Sequence, residues 1–286
     1  MMNMRYILIF SFLFLSFQFS FSQVKNTVIQ NPNNSRMYFY WGWNSGYFTK
    51  SNIRFKGPDY DFTLKKSIAK DRQTKFTTKY FNPAHITIPQ YNFRVGYYIR
   101  ENWDFSFGID HMKYVLQNNQ EVEISGIIEN SNTIYDGVYN NNKILVSPDF
   151  LKFEHTDGLN YMNFELRHST KIFDMAKIKV SLKEGFGIGA LVPRTNTKLL
   201  NNETYDKFHF SGYGLGAILG LNISFFNAFF IQNEIKGGFI NLPNVRTTSS
   251  KFDKASHHFF FGQFNIVFGG IINLNKKNDQ NEVLKR

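Results

Sequence analysis

Between Phe208 and Asn233 the chain carries no Asp, Glu, Lys or Arg, a stretch long enough to suggest a membrane helix. Its fine pattern argues against one. Tyr213, Leu215, Ala217, Leu219, Leu221, Ile223 and Phe225 alternate with Gly212, Gly214, Gly216, Ile218, Gly220, Asn222 and Ser224, which is the two-residue period of a strand. A helix here would hold four glycines, each costing about 1 kcal/mol relative to alanine, and would scatter the large side chains around its circumference. The segment is expected as a lipid-facing β-strand. A tight turn at Asn227-Ala228 should lead into a second strand, Phe229 to Leu242, on which Gln232, Glu234 and Lys236 share one face.

The same alternation recurs along the chain and predicts eight strands, separated in turn by short and long connections. The first is MYFYWGWNSGYFT from Met37. The second and third, ITIPQYNFRVGYYI and WDFSFGIDHMKYVL, are joined only by Arg100-Glu101-Asn102. LNYMNFELRHS and IKVSLKEGFGIGALV follow, separated by TKIFDMAK, then the two strands above, and last HHFFFGQFNIVFGGIINL from His257. Long polar connections are expected over residues 50–85, 117–158, 194–207 and 243–256. An even number of strands, with short turns at one end and long loops at the other, is the layout of an outer-membrane barrel with both termini in the periplasm. Antiparallel closure would pair every backbone amide, as lipid requires.

Other features bear on compartment and class. Arg5 precedes the apolar run ILIFSFLFLSF, and Ser20-Phe21-Ser22 before Gln23 fits a small-x-small cleavage site, so residues 1–22 are expected as a signal peptide. Residues 23–36 then form a periplasmic segment, 37–274 the barrel and 275–286 a periplasmic tail. The formal charge of +11 falls to +10 when Arg5 leaves with the signal. Nucleic acid is not an expected partner, because a signal peptide directs the chain away from it. Cysteine is absent, which excludes disulfides, thiolate metal sites and a lipidated cysteine. The 33 Phe and 15 Tyr suit strands and membrane interfaces.

The signal, the alternating strands, the aromatic strand ends and the long outer loops resemble those of the small outer-membrane-protein-A-like and outer-membrane-protein-W-like barrels over nearly the whole mature chain. The resemblance implies an all-β, single antiparallel transmembrane barrel in the outer membrane, monomeric, without a cofactor and surrounded by lipid and lipopolysaccharide. The Phe- and Asn-rich composition also resembles such proteins from Bacteroidota. The chain departs from the pattern by continuing past its last strand as NKKNDQNEVLKR, where a terminal aromatic is usual.

If the large apolar side chains face lipid, the opposite face must hold what lipid rejects. Arg94, Glu165, Arg167, Glu234 and Lys236, with Gln90, Asn92, Tyr98, Asn163, Gln232, Gln263 and Asn265, fall there. Eight strands enclose room for side chains and little else, so these charges are expected to pair in a plugged lumen instead of lining a pore. Inward glycines at 185, 187, 189, 212, 214 and 216 would make room for bulky partners such as Tyr98 or Tyr161. Glu184 and Asn233 fall on the lipid face, which calls for either a β-bulge or a different strand phase.

The first long connection mixes Lys and Arg with Phe and Tyr, suiting contact with lipopolysaccharide phosphates. Its pieces NIRFK and YDFTLKK alternate and are expected as a hairpin extending the wall. The alternative function is a lipid A acyl-ester hydrolase. His209-Phe210-Ser211 has the His-x-Ser spacing of lipid A deacylases, but Gly212 stands where an Asn normally follows, and both side chains are expected to face lipid. His257-His258 with Asp253 is the one combination with metal-ligating chemistry, yet adjacent strand residues project to opposite faces, so no metal is expected.

Overall fold

The computed structural model describes residues 35–73, 90–200, 202 and 205–274. The signal peptide, almost all of the 23–36 segment, the tail, and residues 74–89, which include the start of the expected second strand, lie outside the described residues. Among the described residues there are fourteen strands: β1 Arg36–Phe48, β2 Ser51–Lys56, β3 Tyr60–Ser67, β4 Ala69–Asp71, β5 Tyr91–Tyr98, β6 Trp103–Leu116, β7 Glu121–Ile128, β8 Gly137–Leu145, β9 Leu151–Asp174, β10 Ile178–Pro193, β11 Asn196–Leu199, β12 Gly212–Phe225, β13 Phe229–Arg246 and β14 Lys254–Asn273.

Eight of them close a ring in the order β1, β5, β6, β9, β10, β12, β13, β14, and β14 returns to β1 over the full length of β1, from Arg36↔Asn273 to Phe48↔Phe261. Every neighbouring pair in the ring is antiparallel. These are the eight strands that the alternation predicts. The expected turn at Asn227-Ala228 is there too, with Phe226 and Asn227 at φ of 55° and 53° and the Ala228 amide donating to the Phe225 carbonyl at 3.0 Å.

The outward positions of the ring are apolar and exposed, among them Phe93, Phe105, Phe164, Phe186, Leu219, Ile235 and Phe264. Their strand neighbours Arg94, Asp104, Glu165, Gly187, Gly220, Lys236 and Asn265 point into the lumen. A closed sheet that is apolar outside and polar inside is built for a lipid solvent. The fold is therefore an eight-stranded, antiparallel barrel of the membrane-spanning kind.

Glu184 and Asn233 need neither of the remedies expected for them. The register runs unbroken through both, Glu184↔His168 and Asn233↔Ile266, and both side chains do point outward. Glu184 accepts from His168 at 3.1 Å, and His168 lies against Trp103 with ring centroids 4.8 Å apart. A hydrogen-bonded cluster beside a tryptophan near the short-turn end is what an interfacial belt accommodates.

At the long-loop end the connections hold far more order than their polar composition suggests. Strand β9 begins at Leu151, well inside the expected loop 117–158, and β13 continues to Arg246 through a bulge between Leu242 and Val245. The segment TKIFDMAK is mostly strand, leaving a turn of residues 175–177. The hairpin β2–β3 forms as expected and joins the top of β14, then β7 and β8 extend it into a four-stranded curtain. Alternation sorts its residues: Ile53, Phe55, Phe62 and Leu64 are buried, while Arg54 and Lys56 face outward and pair with Asp61 at 2.6 and 3.8 Å.

The curtain's buried face merges with the inward residues of the upper barrel into one apolar core. It includes Phe48, Phe55, Phe62, Tyr114, Val122, Phe150, Phe153, Leu159, Leu242 and Phe259. The loops thus build a dome over the barrel mouth, held by ring contacts such as the stacked Phe55–Phe62 and the tilted Tyr135–Phe150.

Candidate functional site: the lumen

The strand period sets which side chains reach the lumen. On β5 it selects Asn92 and Arg94, on β9 Asn163, Glu165 and Arg167, on β13 Gln232, Glu234 and Lys236, and on β14 Gln263 and Asn265; all are buried. The structure brings the five charged residues singled out from the sequence into a single network. Arg94 Nη2 lies 2.8 Å from Glu165 Oε1, Arg167 Nη1 2.6 Å from Glu234 Oε1, Arg167 Nε 2.6 Å from Glu165 Oε2, and Lys236 Nζ 2.6 Å from Glu165 Oε1. Glu165 is the hub, since three cations converge on its two oxygens.

Three further charged residues are buried in the lumen, of which Asp110 joins the network directly. Asp110 pairs with Lys236 and accepts from Asn92 and Asn163 at 2.7 and 2.9 Å. Asp104 pairs with Lys183 at 3.1 Å and accepts from the Tyr38 hydroxyl at 2.7 Å. The parity of WDFSFGID already places Asp104 and Asp110 opposite Trp103, Phe105, Phe107 and Ile109. Lys183 follows in the same way from its outward neighbour Glu184. Among the described residues the buried lumen charges are then Arg94, Arg167, Lys183 and Lys236 against Asp104, Asp110, Glu165 and Glu234, four of each sign, and each has an opposite charge as a partner.

Neutral groups complete the coordination. The Tyr40 hydroxyl accepts from Arg94 Nε at 3.0 Å and from Arg167 Nη2 at 2.9 Å, and Arg94 Nη1 donates to Ser106 at 3.0 Å. Burying so many charges costs several kcal/mol per ion, and only pairing with further hydrogen bonds offsets it. The expected glycine spacers are present: a Cβ on Gly187 would lie 2.6 Å from Glu165 Cγ, and one on Gly214 would lie 2.9 Å from the Tyr161 ring.

Clusters of aromatic and apolar side chains adjoin the network on both sides. Towards the short turns, Tyr38, Tyr40, Phe230 and Val267 form an aromatic floor. A cavity bordered by Tyr38, Tyr98, Arg167, Lys183, Asn222, Phe230 and Gln232 leaves about 10 Å³ of space there, room for about one water. Towards the long loops, Tyr161 pairs edge-on with Phe261 and starts the apolar core of the dome.

The structure does not bring His209 and Ser211 together as a dyad. The His209 ring stacks on Tyr205 and its Nε2 lies 3.1 Å from the Tyr205 hydroxyl. Ser211 is buried, not lipid-facing, because it precedes the first residue of β12, and its hydroxyl donates to the His209 carbonyl at 3.3 Å. His257 turns inward and His258 outward, while Asp253 accepts from Tyr60 and Thr248. Sequence reasoning did not anticipate His155, buried 6.2 Å from His257 between ring centroids in the dome core.

No protein-family model matches the chain, and no curated protein matches it. Among solved structures it is similar to the outer membrane protein AlkL, 10% identical over 88% of this chain and 97% of that one, with a TM-score of 0.38. It is similar also to the outer membrane protein OprG of Pseudomonas aeruginosa, 9% identical over 84% and 96%, TM-score 0.37. A third is the attachment invasion locus protein Ail of Yersinia pestis, 9% identical over 84% and 99%, TM-score 0.31. The fold stands on the strand pairing described above.

Proposed function

We propose that this chain is an outer-membrane barrel that seals instead of conducting, and that its work lies at its outer surface, where it contributes to envelope integrity in contact with lipopolysaccharide or an external ligand. The observation that carries this reading is the closed ring with an apolar exterior around a charge-balanced lumen. On this reading the short turns and both termini lie in the periplasm and the dome lies outside the cell, the layout of outer-membrane barrels. The ring closes on itself and leaves no barrel edge, which favours a monomer. Its Phe- and Asn-rich composition is the ground for an origin in Bacteroidota.

Hydrolysis of lipid A is the rival. It would need a serine activated by a base and donors for the oxyanion, whereas the His209 ring is occupied by Tyr205 and Ser211 is turned inward. Cell fractionation tests the main reading. The mature protein should stay with the outer membrane until detergent is added, and its recovery in the soluble periplasmic fraction would overturn the assignment.

A further inference from the structure

Three cations stand side by side on the outer face of the wall, just above the barrel. In the strand register Lys254 of β14 lies directly opposite Arg246 of β13 on one side and Lys56 of β2 on the other. Their chain neighbours Val245, Phe55 and Ala255 are all in the dome core, so the three basic side chains point away from it. Adjacent strands are about 4.8 Å apart, which makes a row about 10 Å long. Like charges directly opposite across strands destabilise a sheet.

Carboxylates offset only the Lys56 end of the row, where Asp61 stands opposite Lys56 in the register. Asp61 spends both oxygens on Arg54, at 2.7 and 2.6 Å, and reaches Lys56 only at 3.8 Å. Among the described residues no carboxylate pairs with Lys254 or Arg246. The loop before β12 continues the positive surface. The Asn244 amide donates to the Ser211 carbonyl at 3.3 Å, which ties that loop to the top of β13. There, burial and the nearby charges of Arg246 and Lys207 lower the proton affinity of His209. Phe208 and Phe210, on either side of His209, are 55% and 68% exposed. Exposed aromatics interleaved with cations at the rim of a barrel belong in a headgroup layer, and a soluble anion would have no use for them.

We propose that the row Lys56, Lys254 and Arg246, flanked by Lys207 and the exposed Phe208 and Phe210, docks the phosphates of a phosphorylated glycolipid in the surrounding outer leaflet. Ammonium and guanidinium groups give charge-assisted hydrogen bonds to phosphate, and an anion relieves the repulsion within the row. The site rests on the outer-membrane reading above and replaces the loop-wide contact expected from residues 50–85 with one defined row.

Native mass spectrometry of the folded full-length mature protein, released from detergent after incubation with diphosphoryl lipid A, tests the proposal. The wild type should carry the lipid, the double variant Lys254→Gln/Arg246→Gln should bind it about tenfold or more weakly, and monophosphoryl lipid A should bind less well than the diphosphoryl form. Both substituted side chains lie on the outer face of the wall, and strand-type circular dichroism checks that the variant is folded. Inorganic phosphate should not displace the lipid. If the folded double variant keeps wild-type affinity, the row is not the site, although lipopolysaccharide contact elsewhere would stand. If neither protein binds lipid A, the row and that contact both fall while the sealed barrel is untouched. If inorganic phosphate competes with full effect, the ligand is a free anion and the glycolipid assignment is overturned.

Discussion

Lys236 and Tyr161 mark the boundary between two kinds of interior: the ammonium lies 5.6 Å from the centroid of the tyrosine ring. On its other side Lys236 meets Glu165 and Asp110. Tyr161 instead leads into Phe261 and the dome. The barrel is thus filled twice over, by ion pairs in its middle and by apolar side chains above them. The two fillings fail in different ways when disturbed.

Removal of Glu165 takes away the carboxylate shared by Arg94, Arg167 and Lys236. Leaving buried charge unmatched costs about 3 to 5 kcal/mol. Glu165→Ala should therefore lower the unfolding temperature in detergent, whereas alanine at the exposed Lys66 should leave it unchanged. Equal, negligible effects would contradict a structural role for the network.

Gly214 faces Tyr161, with a Cβ there 2.9 Å from the ring and 3.3 Å from Leu191. Gly214→Val should overpack this level and cost about 1 to 3 kcal/mol, read as a lower melting temperature. The added change Tyr161→Leu should recover part of it. A fully tolerated valine would mean that the ring is not held where the structure puts it.

Phe150 is completely buried in the dome, with ring centroids 4.7 Å from Tyr135 and 5.8 Å from Phe62. Phe150→Ala should cost about 3 to 5 kcal/mol locally. Because regions open with separate free energies, protease added outside the cell should cut the 117–150 connection of the variant while the membrane strands survive. Unchanged resistance would show that the dome does not depend on this core.

The eight strands of the ring were legible because lipid on one face and charge on the other make the two-residue period strong. Arg94, Glu165, Arg167, Glu234 and Lys236 followed from that period alone. Asp104, Asp110 and Lys183 were equally available from their outward neighbours and were missed through incomplete use of the same rule. The dome was less legible for a physical reason. Its strands face water on one side, so Asn140, Asn141 and Asn142 on β8 read as loop, and its core is assembled from residues as distant as Phe55, Phe150 and Phe259. Ser211 was misplaced because the alternation of β12 was extended one residue past the strand's start at Gly212.

Lipid A from cells with and without the protein should have the same acyl chains by mass spectrometry, and His209→Ala or Ser211→Ala should change nothing. A defined acyl chain that disappears only when Ser211 is present would reinstate the hydrolase.

Planar-bilayer recording of the purified, folded protein tests the sealed lumen most directly. The account predicts no unitary conductance above the bare membrane at neutral pH, because four buried cations and four carboxylates neutralise one another beneath a dry apolar core. Reproducible conductance steps from the wild-type protein would contradict it.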